Sequence, residues 1–242
     1  MELFADAWQW LLDPQNYVGE GSLPQRSLEH LGYTMWVMAV ASAIAIPLGL
    51  YIGHTGRGRG WAVGITGAAR ALPTFGLLLY LVLVFGVERR ELAAVIALVL
   101  LAIPPLLAGA YSGVDQIDRR VLDAAKAQGM SGWQLLFRVE LPLALPLVVG
   151  GIRNAALQVV ATVTLIAYVG LGGLGYEIIQ GIPLRRFDQM IGSALAIVVI
   201  ALLLDAVFAA LTRVVTPEGV RKAGGGDIRA RESSRRLDTR AS

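Results

Sequence analysis

Bond-making chemistry needs a nucleophile beside a base, a pair of carboxylates or a cluster of metal ligands. This sequence offers little of that kind. It has no cysteine, so disulfides and thiolate metal sites are excluded, and with only His30 and His54 a histidine-rich metal site is not expected. No G-x-x-x-x-G-K-[ST] phosphate loop occurs, and the only lysines, Lys126 and Lys222, lie outside any such context. The ionisable residues that stand out are Arg70, Arg153 and Asp205, because they lie in or beside long apolar segments. Charges in such places are costly and face protein or water. They could line a gate or pathway. The favoured alternative is an ion pair fixing helix packing, Asp205 with Arg70 or Arg153. Asn154 and Gln158 would share part of a helical face with Arg153, since residues four apart are neighbours, and such a polar stripe could line a route.

The elements that position these residues follow from composition. The chain has 242 residues, 55% of them hydrophobic and only 16% charged, against about 25% charged in a soluble domain. That deficit points to lipid as the solvent. A spanning helix needs about 20 mostly apolar residues, and five segments qualify: roughly 31–53, 61–86, 92–111, 143–169 and 190–211. The second is interrupted at Arg70 and Pro73 and could be two pieces, which would make six. Pro73 would kink that span, for packing or as a hinge, because proline removes a helix hydrogen bond and clashes one turn back. The fold class expected is an all-α polytopic membrane protein. A transmembrane barrel would need period-2 alternation, and long apolar runs replace it.

Basic residues favour the cytoplasmic side. Arg57, Arg59, Arg119, Arg120, Lys126, Arg138, Arg213 and seven residues of the tail fall on one side, against Arg26, Arg89, Arg90, Arg185 and Arg186 on the other. The N-terminus is therefore expected outside, and the loop after the third span and the C-terminus inside. Arg185 and Arg186 run against the rule. Residues 1–28 read as an interfacial segment, with Trp8 and Trp10 suited to a membrane surface; without a basic start they do not read as a cleaved signal peptide. Residues 29–215 form the membrane domain. The tail, 216–242, holds Gly224-Gly225-Gly226 and interleaved charges, reads as disordered, and could touch anionic lipid. It carries the entire net charge of +3, so the body is neutral and no nucleic-acid groove is implied.

The loop 115–142 is not polar filler. Residues 118–128 read as a short helix capped by Asp115 or Asp118, and Gly129 suits a left-handed stop. Ser131-Gly132-Trp133-Gln134 has the form of a capping box opening a second short helix, which runs to Leu141-Pro142, where the proline punctuates entry to the fourth span. Ala124-Ala125 lets another surface approach closely, and Met130, Trp133, Leu136 and Phe137 offer apolar knobs. On composition alone, docking and plain packing on the membrane domain are even alternatives.

The spacing Asp123-Ala124-Ala125, three residues, Gly129, nine residues, Val139, one residue, Leu141-Pro142 resembles the "EAA" loop of ABC-importer permeases. In that family the loop is a coupling helix seated in a cleft of a separate ATPase. The resemblance implies docking by Asp123, Ala124, Ala125 and Gly129, with Met130, Trp133, Leu141 and Pro142 beside them. Asp123 stands where many members have Glu and keeps the carboxylate. The likeness extends over about residues 25–215 through Gly53-His54-Thr55-Gly56-Arg57-Gly58, Arg70-Ala71-Leu72-Pro73-Thr74, Ile103-Pro104-Pro105-Leu106-Leu107-Ala108-Gly109, Gly151-Ile152-Arg153 and Leu171-Gly172-Gly173-Leu174-Gly175. These stretches are similar to permeases of osmoprotectant importers of the glycine betaine, carnitine and choline class. The fold implied is the type I importer permease (MetI-like) fold.

The resemblance also implies three partners: a cytoplasmic ABC ATPase, a second permease copy or paralogue, and an extracytoplasmic solute-binding protein. It implies no cofactor and no enzymatic activity. Gly172 and Gly173 are expected in a close-packed turn, or in outer gating or binding-protein docking. Tyr33, Trp36, Tyr51, Phe75, Tyr80 and Tyr168 could hold a quaternary ammonium by cation–π contact, although scattered aromatics in spans usually pack. The competing readings are a secondary transporter, for which neither a midplane ion site nor inverted repeats stand out, and an importer permease for another small solute such as an amino acid.

Overall fold

A computed structural model describes residues 2–69 and 73–216. Arg70 and the tail beyond Thr216, both singled out above, lie outside the described residues. Ten α-helices follow in chain order among the described residues: α1 (Glu2–Leu12), α2 (Leu23–Thr55), α3 (Arg59–Ala69), α4 (Thr74–Phe85), α5 (Arg90–Asp115), α6 (Arg119–Ala127), α7 (Gly132–Leu135), α8 (Leu141–Thr162), α9 (Gly175–Leu184) and α10 (Phe187–Val215). Among the described residues, four helical stretches are long and apolar enough to cross a membrane: Leu23–Thr55, Val87–Asp115, Gly132–Val169 and Phe187–Val215. The second expected span is two helices. α3 ends at Ala69, α4 starts at Thr74, and Pro73 between them is extended (φ −72°, ψ 101°). Proline therefore sits at the start of a new helix, where its missing N–H costs nothing, rather than kinking a continuous one.

Lipid gives no hydrophobic drive for one helix to meet another, so close van der Waals contact must hold the bundle. The core is accordingly small-residue-rich. α5 is central, packed against α2 on one side and α8 on the other. At the α5–α8 crossing a Cβ added to Gly109 would lie 2.7 Å from the Gly151 Cα, a separation no side chain tolerates. Ala97, Leu98, Ala102 and Leu106 of α5 interlock there with Ala155 and Val159 of α8 and with Ile166 beyond it. The outward face of α10 is wholly different. Val198, Val199, Leu202, Leu203, Val207 and Val214 are each more than half exposed and uniformly apolar, as a lipid-facing helix should be.

α1 lies against α10, with Trp10 covering Gly192, where any side chain would strike the indole. Trp10 is thus a packing residue, whereas Trp8 of the same helix is 60% exposed and free to sit at a membrane surface.

Candidate coupling surface and pathway

The loop after α5 forms as its residue chemistry directs. Asp118, not Asp115, caps α6, its carboxylate accepting from the Arg120 N–H at 2.9 Å. α6 gives way at Gln128 and Gly129, and Gly129 is left-handed (φ +79°). Ser131 and Gln134 form a reciprocal capping box at the start of α7.

The expected second short helix does not stop before Pro142. From Gly132 the chain continues helically to Thr162, through a π-turn over Leu136–Glu140 in which the Leu141 N–H donates to Leu136 O. The widened turn absorbs the residue that cannot donate, so Pro142 enters the first turn of α8 without a break. The second half of the loop and the fourth span are consequently one rigid body.

Between α6 and the π-turn lies an open concavity of about 470 Å³, lined by Arg120, Val121, Ala124, Ala125, Gln128, Met130 and Val139. Of the residues singled out, it gathers Ala124, Ala125 and Met130. Ala124 is exposed and Ala125 is buried at 6%. Asp123 is not part of it. That carboxylate faces a separate polar cavity with His54, Asp115, Arg119, Lys126 and Glu140. Trp133, 74% exposed, stacks on Phe137 with ring centres 5.8 Å apart and lines an apolar cavity of about 500 Å³ against Pro47, Leu50 and Tyr51 of α2. Leu141 and Pro142 are half-buried at the foot of α8.

One contact here had no signal in local spacing. His54 Nδ1, at the end of α2, lies 2.6 Å from Glu140 Oε2, which is 2% exposed. The pair ties the first span to the π-turn across 86 positions of sequence.

Deeper in the membrane domain, Arg153 and Asp205 meet in a bidentate pair (Nε–Oδ1 2.6 Å, Nη2–Oδ2 2.7 Å). Of the two partners considered for Asp205, this is the one found. Arg153 lies about 18 Å from the start of α8 and Asp205 about 15 Å from the end of α10, at 1.5 Å per residue. Both sit near the middle of about 30 Å of hydrocarbon, and each keeps about a third of its side chain exposed (37% and 31%).

Asn154 and Gln158 are exposed beside the pair. Along α8 the exposed positions are Leu147, Asn154, Gln158 and Ala161, spaced seven, four and three apart, which is one helical face, and Tyr168 is exposed in the 3-10 stretch beyond it. Unlike the outer face of α10, this face carries amides at mid-depth.

At the opposite end, Gly172 and Gly173 sit in a turn clasped by α2. The Gly173 N–H donates to Glu29 Oε2 at 2.8 Å, and the same carboxylate occupies the space a Gly172 side chain would need. Arg26 reaches Glu29 at 3.2 Å and Glu177 at 3.7 Å, and its guanidinium lies 4.1 Å over the Tyr176 ring. Burial pushes the Glu177 carboxyl up, partly offset by Arg26, by the Gln189 side chain and by Arg186. The sequence reading missed this network, whose partners are far apart along the chain.

The family described as "Binding-protein-dependent transport system inner membrane component" matches residues 45–218. The chain belongs to this family. It is thus a multi-pass membrane permease component. It is 30% identical over 201 residues to the glycine betaine/carnitine/choline transport system permease protein OpuCB of Bacillus subtilis, covering 83% of this chain and 92% of that one. It is 32% identical over 223 residues to the osmoprotectant import permease protein OsmW of Salmonella typhimurium, covering 89% of this chain and all of the other. In fold it is similar to a chain of the MetNI methionine ABC transporter solved in inward-facing conformations (TM-score 0.68, 22% identity, 81% of this chain and 96% of that one).

Proposed function

We propose that this permease moves a small osmoprotectant of the glycine betaine, carnitine or choline class, and that the concavity beside α6 is where a separate cytoplasmic ATPase takes hold. The carrying observation is that concavity: lined by exposed Ala124 and by apolar Met130 and Val139, and joined through the π-turn to α8 without a flexible link. Nucleotide-driven closure of the ATPase would push α6 and α7, and the continuous helix would carry the push to mid-membrane. His54–Glu140 would carry part of it to α2. Asp123, on the polar cavity next to α6, and exposed Trp133 flank this docking surface and belong to it.

The membrane domain is assigned to 29–215, with the coupling loop at 115–142 and the N-terminus outside. The loop and C-terminus face the cytoplasm, on the side where basic residues predominate. A second permease subunit closes the path, and an extracytoplasmic binding protein delivers the solute. The face Asn154–Gln158 and the ion pair Arg153–Asp205 point toward that path, since polar groups at mid-depth face protein or water.

Co-expression with candidate ATPase and binding-protein subunits, followed by ATP-dependent uptake in liposomes against a solute panel, tests the reading. Uptake of a quaternary ammonium solute that needs ATP and survives collapse of the proton gradient is expected. Uptake that follows the gradient instead would favour a secondary transporter.

A further inference from the structure

Two of the six aromatics singled out in the sequence meet in space. Phe75, in the first turn of α4, packs edge-on to Tyr168, with ring centres 4.8 Å apart and planes inclined at 60°. Neither ring is used up by the contact, for Phe75 is 37% and Tyr168 48% exposed.

Their setting is not that of lipid-facing aromatics. Tyr168 is exposed on the same span as the amides Asn154 and Gln158, whereas the exposed face of α10 between Val198 and Val207 presents only aliphatic side chains. Phe75 belongs to the helix that starts after the interruption of the second span, with Pro73 extended just before it. Tyr168 lies in a 3-10 stretch, Val163–Val169, that ends at left-handed Gly170. Tyr168 stands fifteen residues beyond Arg153, about 22 Å further along the axis and so toward the outer end of the span, and discontinuous spans are where transporters build solute sites. Two such irregularities, on different spans, converge on this one ring pair.

We propose that Phe75 and Tyr168 form a solute station in the path of the permease itself, taking the methylated ammonium head of the solute against their open ring faces. This rests on the transport reading above. Aromatic rings attract a quaternary cation through their quadrupole, and a methylated ammonium has no N–H to satisfy, so rings suit it better than carboxylates or carbonyls. The attraction is worth roughly two- to thirty-fold in occupancy. That is enough to favour a cation and weak enough to release it, as a conducting site requires. The amides of Asn154 and Gln158 lie deeper on the same span, toward mid-membrane.

The test is uptake and ATP hydrolysis by the complete transporter in proteoliposomes, with glycine betaine as solute, for the wild type and Tyr168→Phe, Tyr168→Leu and Phe75→Leu. The wild type establishes the transport reading independently: if it moves no quaternary ammonium solute, that reading fails and this one with it. With wild-type uptake in hand, Tyr168→Leu and Phe75→Leu are expected to lower solute moved per ATP about ten-fold. Tyr168→Phe, which keeps the ring, should stay within two-fold. Leucine variants that transport like the wild type would show a pair that merely packs or faces lipid. A loss as deep in Tyr168→Phe as in Tyr168→Leu would assign the effect to the hydroxyl. Either outcome overturns the proposal. Surface labelling of each variant, to normalise for the amount in the membrane, separates these results from misfolding.

Discussion

Single residues carry the account where a group is placed so that nothing else would serve. Glu140 is buried with His54 as its recorded hydrogen-bond partner. Glu140→Ala should therefore cost about 2 kcal/mol, since the imidazole loses its partner and a void opens. Thermal unfolding in detergent would read this as a lowered midpoint. Arg153 and Asp205 invite a double-mutant cycle. Each single leucine variant leaves a charge alone at mid-depth, so the double variant should recover at least half of the lost membrane-inserted protein.

Glu177 gives a pH signature. Its carboxyl is held above the ordinary value by burial, so the folded state binds its proton more tightly than the unfolded chain does. Its contribution is whole below the ordinary carboxylate value and is lost as the pH rises toward the raised one. Glu177→Gln should flatten the stability profile in that window and leave it unchanged at lower pH. At this scale the sequence was legible for caps and stops, because Asp118, Gly129 and Ser131 act on neighbours within three residues. It was silent on His54–Glu140 and on Arg26–Glu177, whose partners are set by helix packing.

Between residues and whole lie the elements, and there the π-turn matters most. Apolar pattern located the spans but not their continuity. A proline at 142 reads as a stop, yet one widened turn lets the helix run from Gly132 into the membrane. Conversely, a single apolar run at 61–86 resolved into α3 and α4, because Pro73 can start a helix more readily than it can sit inside one. The continuous helix makes a firm prediction about force transmission. A Gly-Gly insertion between Gln134 and Leu135 should abolish uptake while leaving basal ATP hydrolysis within about two-fold, because glycine loosens a helix by about 1 kcal/mol per residue. Uptake and hydrolysis assayed on one proteoliposome preparation would check it. The concavity makes another. Ala124→Arg puts a long side chain on its exposed lining and should uncouple hydrolysis from transport. Ala125→Arg, at a buried position, should instead reduce the amount of folded protein.

For the molecule as a whole, the surface divides by chemistry. α10 offers lipid an aliphatic wall, α8 keeps an amide-bearing face at the same depth, and the α6 concavity opens at the end where basic residues predominate. Membrane residence was legible from composition, helical class from the long apolar runs, and the helix, turn and helix of the loop from its caps and its glycine. The face of α8 was half legible: Asn154 and Gln158 stood out as a pair, but only the bundle shows which side of the helix it leaves uncovered. The central claim is that an ATPase grips the loop at Ala124. Because the chain has no cysteine, Ala124→Cys supplies a unique handle. A short bifunctional cross-linker applied to membranes holding the full transporter should join position 124 to the ATPase subunit, while Trp61→Cys, also exposed but away from the concavity, should not. Cross-links from position 61 with none from position 124 would contradict the account.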